Sequence, residues 1–142
     1  MTYDYKYMRW VEYTKLSNGQ SAVIVFDKNW RHEIGSGSDC SVAFAIANKK
    51  KVLRQWLDSD GYGNLDMTVT GNCGVEGLMW AFKMVQKFID EHMLENDRII
   101  VYGSDARRYK IYKHFLTSRL GFREIRDPYW GCCLEKVLNK QK

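Results

Sequence analysis

Thr70-Gly71-Asn72-Cys73-Gly74-Val75-Glu76-Gly77-Leu78 is the stretch on which the fold turns. Before it, Leu65, Met67 and Val69 alternate with Asp66 and Thr68, the period-two pattern of a short strand with one apolar face. After it begins, Val75, Leu78, Met79, Phe82, Val85, Ile89 and Met93 recur at three- and four-residue spacing, which predicts an amphipathic helix. Gly71, Gly74 and Gly77 join strand to helix and let the backbone turn tightly with little to cover it. The first amides of such a helix point outward without partners, and the helix dipole adds partial positive charge. The turn can therefore cradle a phosphate or pyrophosphate. A strand-to-helix turn that merely needs glycine reads the same way. The spacing excludes a Walker loop, since no Gly-Lys-Ser/Thr follows, and excludes G-x-G-x-x-G, since Asn72-Cys73 separates the first two glycines.

Upstream, residues 8–16 and 22–26 read as strands joined through Ser17-Asn18-Gly19-Gln20, and Asn-Gly is a strong hairpin signal. Residues 41–47 alternate Val42, Phe44 and Ile46 with Ala43 and Ala45, again a strand. Asn48-Lys49-Lys50-Lys51 reads as a solvated turn, and residues 52–57 fit either a strand or a short helix. Downstream, residues 98–102 form a strand, and Ser104 or Asp105 caps a helix whose stripe is Tyr109, Tyr112, Phe115 or Leu116, and Leu120. Gly121 stops that helix, and residues 122–126 and 129–138 are the last two strands. The order predicts one α/β domain over residues 1–142, with helices packed on a sheet that starts as an antiparallel meander.

The segment Ser104-Asp105-Ala106-Arg107-Arg108-Tyr109-Lys110-Ile111-Tyr112, running on to Arg119-Leu120-Gly121-Phe122-Arg123-Glu124, adds a family cue. With the glycine turn, it resembles the GNAT superfamily of N-acyltransferases over residues 41–138, and is most similar to small GNAT-like proteins of bacteriophages. In that family a central strand leads into a pyrophosphate-binding turn, R/Q-x-x-G-x-G/A, and a long helix. A further strand and helix follow, with a tyrosine before Gly-Phe. The resemblance implies a mixed, mostly antiparallel sheet with two main helices. It implies an acetyl group moved from acetyl-coenzyme A to an amine on a protein lysine, a small molecule or a base. It places Thr70, Gly71, Asn72, Cys73, Gly74, Val75, Glu76 and Gly77 around the coenzyme A pyrophosphate, with Arg107 and Arg108 on its phosphates. Gly71 stands where the family has Arg or Gln, and Glu76 where it has Gly or Ala. Tyr112 matches the tyrosine that protonates the departing thiolate, although it lies nine residues before Gly121 rather than about four. Asp66 and Glu76 are the carboxylates offered as general base. The alternatives are a protein that kept the fold without the chemistry and binds a host protein or serves in a virion, and a nucleic-acid binder or base modifier.

Composition narrows the classes. The 142 residues are 45% hydrophobic and 14% aromatic with a single proline, enough to build a core. No apolar run approaches the roughly 20 residues of a membrane span, and no apolar stretch follows a basic start, so neither membrane nor secretory leader is expected. The four cysteines include no C-x-x-C pair and the three histidines are scattered, so no metal is expected, and reduced thiols in a cytoplasm are. The net charge is +5, and residues 104–126, with seven basic and two acidic side chains, hold all of that excess. The helix carrying Arg107, Arg108, Lys110 and Lys113 thus suits a polyanion or a solvated outer face. Open strand edges are compatible with a homodimer.

Overall fold

A computed structural model describes residues 1–30, 37–58, 76–101, 106–128 and 131–138. Seven strands and three helices are defined there: β1 (Thr2–Asp4), β2 (Arg9–Lys15), β3 (Ser21–Trp30), β4 (Ser38–Ala47), α1 (Lys50–Asp58), α2 (Glu76–His92), β5 (Arg98–Val101), α3 (Ala106–Arg119), β6 (Arg123–Asp127) and β7 (Gly131–Val137). The strands form one sheet in the order β1-β2-β3-β4-β5-β7-β6. β1 pairs antiparallel with β2, and β7 pairs antiparallel with both β5 and β6. β4 and β5 are parallel, through Asp39↔Arg98, Cys40↔Ile99 and Ser41↔Ile100. The mixed, mostly antiparallel α/β class expected from the sequence is observed. Contacts divide the chain into two compact units, Met1–Phe26 with Ala43–Val85 and Asp27–Val42 with Gln86–Lys142.

In the first unit, strand alternation sorts side chains to two faces. Val11, Val23, Val25, Ala45 and Ala47 pack with Leu53 and Leu57 of α1. Their neighbours in sequence, Ala22 and Ile46, pack on the other side with Leu16, Phe44 and Trp80. The Asn18-Gly19 hairpin forms as expected: Gly19 has φ +90°, Leu16 N donates to Gln20 O at 2.7 Å, and Gly19 N to Leu16 O at 3.0 Å.

Three expectations are corrected here. Residues 50–58 are helical, so Lys50 and Lys51 open α1 rather than sit in a turn, and three helices are defined among the described residues. Leu53 and Leu57, both buried and four apart, are what holds that helix on the sheet. Met79, placed on the apolar stripe of α2, is exposed, whereas Ala81 and Phe88 are buried. β4 neighbours β5 in the sheet, and the strand read at residues 65–70 lies outside the described residues. β1 was not expected from sequence, and β3 runs on to Trp30 beyond the strand read at 22–26 while β4 begins at Ser38 rather than at residue 41.

In the second unit an ionic ladder crosses four strands. Arg98 donates from Nε and Nη2 to the two oxygens of Asp39 at 3.2 and 3.1 Å, and from Nη1 to Glu135 Oε1 at 3.2 Å. Arg123, directly opposite Glu135, donates to Glu135 Oε2 at 2.8 and 2.6 Å. Helix α3 ends as predicted: Gly121 has φ +75°, and Leu120 N and Phe122 N both donate to Leu116 O at 3.1 Å. The choice between Phe115 and Leu116 for the stripe falls to Leu116, which is buried while Phe115 is half-buried.

Candidate functional site

Of the expected site residues, Glu76, Gly77 and Tyr112 are described with their surroundings. Asp66, Thr70, Gly71, Asn72, Cys73, Gly74 and Val75 lie outside the described residues. Arg107 and Arg108 belong to the first turn of α3, and their side chains lie outside the described set too. Glu76 and Tyr112 fall in different units, and each is treated with its own.

Glu76 is the first residue of α2. Its carboxylate accepts from Ser17 N at 3.2 Å to each oxygen and from Ser17 Oγ at 2.6 Å. An acid in the first turn is where the helix dipole favours one, and Ser17 ties that turn to the β2–β3 hairpin. Gly77, the next residue, is buried and brings no side chain.

The same unit holds a concavity of about 550 Å³ that sequence reading did not find. Its wall takes Arg9, Val11 and Tyr13 from one face of β2 and Lys50, Arg54 and Leu57 from α1, among others. Arg9 is buried, donating to Asp4 Oδ2 and to Leu57 O, each at 3.2 Å. Burial raises the Tyr13 phenol above its ordinary pKa, against the pull of the Arg54 guanidinium, which also hydrogen-bonds it. The Lys50 ammonium lies 4.6 Å from the Tyr13 ring centre. The signal available in sequence was the alternation Arg9-Val11-Tyr13, which puts a cation and a phenol on the face of an apolar residue. Its partners stayed hidden because residues 50–57 were not assigned to a helix.

In the second unit, Tyr109 and Tyr112 lie one turn apart on α3, both half-buried. The Tyr109 hydroxyl donates to Glu124 Oε2 at 2.7 Å, and Lys113 Nζ lies 3.0 Å from Glu124 Oε1. Burial, then the carboxylate, hold the Tyr109 phenol well above its usual range, so it keeps its proton. Two of the basic residues that make up the +5 stretch are therefore matched: Lys113 by Glu124 and Arg123 by Glu135.

The second unit also holds a buried knot around Asp97. The fully buried Asp97 accepts from Ser38 N at 2.9 Å and Leu94 N at 2.8 Å, and pairs with Lys28 Nζ at 2.8 Å. Lys28 Nζ also donates to His92 O at 2.8 Å. Burial pushes the Asp97 carboxyl up, but the hydrogen bonds from Lys28, Leu94 and Ser38 outweigh it and leave the pKa below the usual carboxylate value. The Asp97 carboxylate, held by two amides and an ammonium, gives this knot a structural role.

Among the described residues no three His, Cys, Asp or Glu side chains gather as a metal site, and no helix is long and apolar enough to cross a membrane. No family model, no curated protein and no solved structure matches the chain.

Proposed function

We propose that the chain is an N-acyltransferase that moves an acetyl group from acetyl-coenzyme A to an amine. The observation that carries this reading is the parallel pairing of β4 with β5, followed by α3 and an antiparallel pair in which β7 stands between β5 and β6. β5 and α3 follow the long helix α2, as the further strand and helix of the GNAT resemblance do.

The described part of the anion cradle fits this use. Glu76, where the family has Gly or Ala, has its carboxylate held by Ser17, and Gly77 adds no side chain to the first turn of α2. The amides of Gly77 and Leu78 would hold the pyrophosphate, with those of residues 71–75 before them. Acetyl-coenzyme A, when bound, supplies an acyl carbon activated by its thioester. Tyr112 is the acid that the resemblance assigns to give its Oη proton to the leaving sulfur. Of the two carboxylates that the resemblance offers as base, Glu76 is tied to Ser17 at the start of α2, and Asp66 lies outside the described residues.

The test is thermal unfolding with acetyl-coenzyme A. Ligand that binds the native state alone raises the melting temperature, by about 2.7 kcal/mol of stability at a hundred times Kd. No shift at millimolar acetyl-coenzyme A would sink the proposal. If the shift is seen, Tyr112→Phe should keep it while thiol release in the presence of amine falls by about 10²–10⁴.

A further inference from the structure

The β1–β2 hairpin breaks the usual rules for a turn. Asp4↔Arg9 is its last registered pair, and the four residues between are Tyr5-Lys6-Tyr7-Met8. Turns favour Gly, Asn, Asp, Ser and Pro, for reasons of backbone and hydrogen bonding. Here three of four are large and apolar or aromatic, and they face solvent: Tyr5 is 83% exposed, Met8 69% and Tyr7 42%. Met8 also sits in the left-handed region at φ +55°, which Gly or Asn takes more readily. Such residues weaken a turn, so something other than stability accounts for them.

Their arrangement is ordered. The Tyr3 ring meets Tyr5 edge-on at 4.9 Å and Trp10 at 4.8 Å. The Arg9 guanidinium lies 4.4 Å from the Tyr7 ring centre and Lys6 Nζ 5.3 Å. Asp4, the acid of the tip, is engaged by Arg9 and by Lys6 N, leaving the Lys6 ammonium as the outward charge of the turn. The hairpin base then shares the 550 Å³ concavity with α1, where Lys50 and Arg54 add cations and Lys49 and Lys51 flank them. Glu12 and Asp58 are the other acids on that wall, and Glu12 Oε1 is 2.8 Å from the Met1 amino group. Aromatic faces interleaved with cations, beside an open groove carrying more cations, are the two parts of a single-strand site: stacking for bases, charge for the backbone.

We propose that the hairpin tip and the α1 side of this concavity bind single-stranded nucleic acid. Bases stack on Tyr5 and Tyr7, and phosphates run along Lys6, Lys50 and Arg54. The surface is separate from the acetyl-coenzyme A reading and stands or falls without it. The probe is a fluorescent oligothymidylate of about 15 nucleotides, followed by anisotropy across a salt series. Three phosphate contacts give log K a slope against log salt of about −2, and Lys50→Gln or Arg54→Gln each reduces it by about 0.7. Tyr5→Ser weakens binding about tenfold while Tyr5→Phe, which keeps the ring, binds as the parent does. Because Tyr5 is exposed, its variants should melt with the parent, which separates lost binding from lost folding. Equal binding of the same strand annealed to its complement overturns the proposal, since a duplex hides its base faces. So does undiminished binding by Tyr5→Ser. Self-association by sedimentation that Tyr5→Ser abolishes, without oligothymidylate binding, assigns the tip to a second copy of the chain and also overturns it.

Discussion

Replacing Asp97 by alanine should be among the most damaging single changes in this chain. The carboxylate is fully buried and holds three groups at once: the amides of Ser38 and Leu94, and the Lys28 ammonium, itself almost buried. Asp97→Ala leaves a cation without its counter-charge, a change worth about 3–5 kcal/mol. It also orphans two buried or half-buried amides, at about 1–3 kcal/mol each before overlap. The terms share partners and do not add, so about 5 kcal/mol is a fair total. That is a large part of the 5–15 kcal/mol a small domain has, and corresponds to a melting temperature lower by about 15–20 °C. Differential scanning calorimetry of the parent, Asp97→Ala, Lys28→Met and the double variant measures it. The double variant should recover about 2 kcal/mol or more against the sum of the singles, because it removes the stranded charge. A loss under about 5 °C for Asp97→Ala, or strictly additive singles, would refute the reasoning. Acid supplies an independent reading. Asp97 has a folded pKa below its unfolded value, so its contribution is fully present above the unfolded value near 3.9 and is lost as pH falls through the lower folded one. Asp97→Ala should therefore show a shallower loss of stability below about pH 4 than the parent.

Two further changes probe backbone positions. Gly37, beside the knot at φ +87°, lies so close to the Asn96 carbonyl that a Cβ would run into it, so Gly37→Ala should cost about 2–3 kcal/mol by urea titration. Met8→Asn suits the left-handed turn position that methionine strains, and should raise stability by about 0.5–1 kcal/mol; a loss would mean that the exposed Met8 side chain supports the fold.

Hydrophobic period carried most of the fold from sequence alone. Strands at 8–16 and 22–26, the Asn18-Gly19 turn, α2, α3 and the Gly121 stop were all legible, because each depends on neighbours within about one turn or one hairpin. What stayed hidden depends on partners far along the chain. Residues 52–57 look ambiguous because Val52 and Leu53 are adjacent, so neither period wins. Only the sheet residues Val23, Val25 and Ala45 decide that Leu53 and Leu57 form the buried pair and that Val52 faces water. β1 has three residues, too few for any period to show.

The site divides along the same line. Tyr109 and Tyr112 were legible as helix-stripe phenols, but the acid to which Tyr109 donates is Glu124, fifteen residues away on β6. Glu76 read as a carboxylate that crowds a phosphate turn, and its tie to Ser17 spans 59 residues. Asp97 carries no signal in the sequence, since its partners come from β3, β4 and the segment after α2. A charged side chain carries no period, so its role is set wholly by what the fold brings to it. The hairpin tip is the opposite case. Tyr5-Lys6-Tyr7-Met8 is a local sequence that contradicts its own local structure, and this is visible only once the turn is known. A residue that violates turn chemistry has no distant partner to excuse it when it is 83% exposed, as Tyr5 is. That conflict, rather than any motif, is what makes the tip a stronger pointer to a partner than the basic stretch of α3, where Lys113 already has its acid on β6.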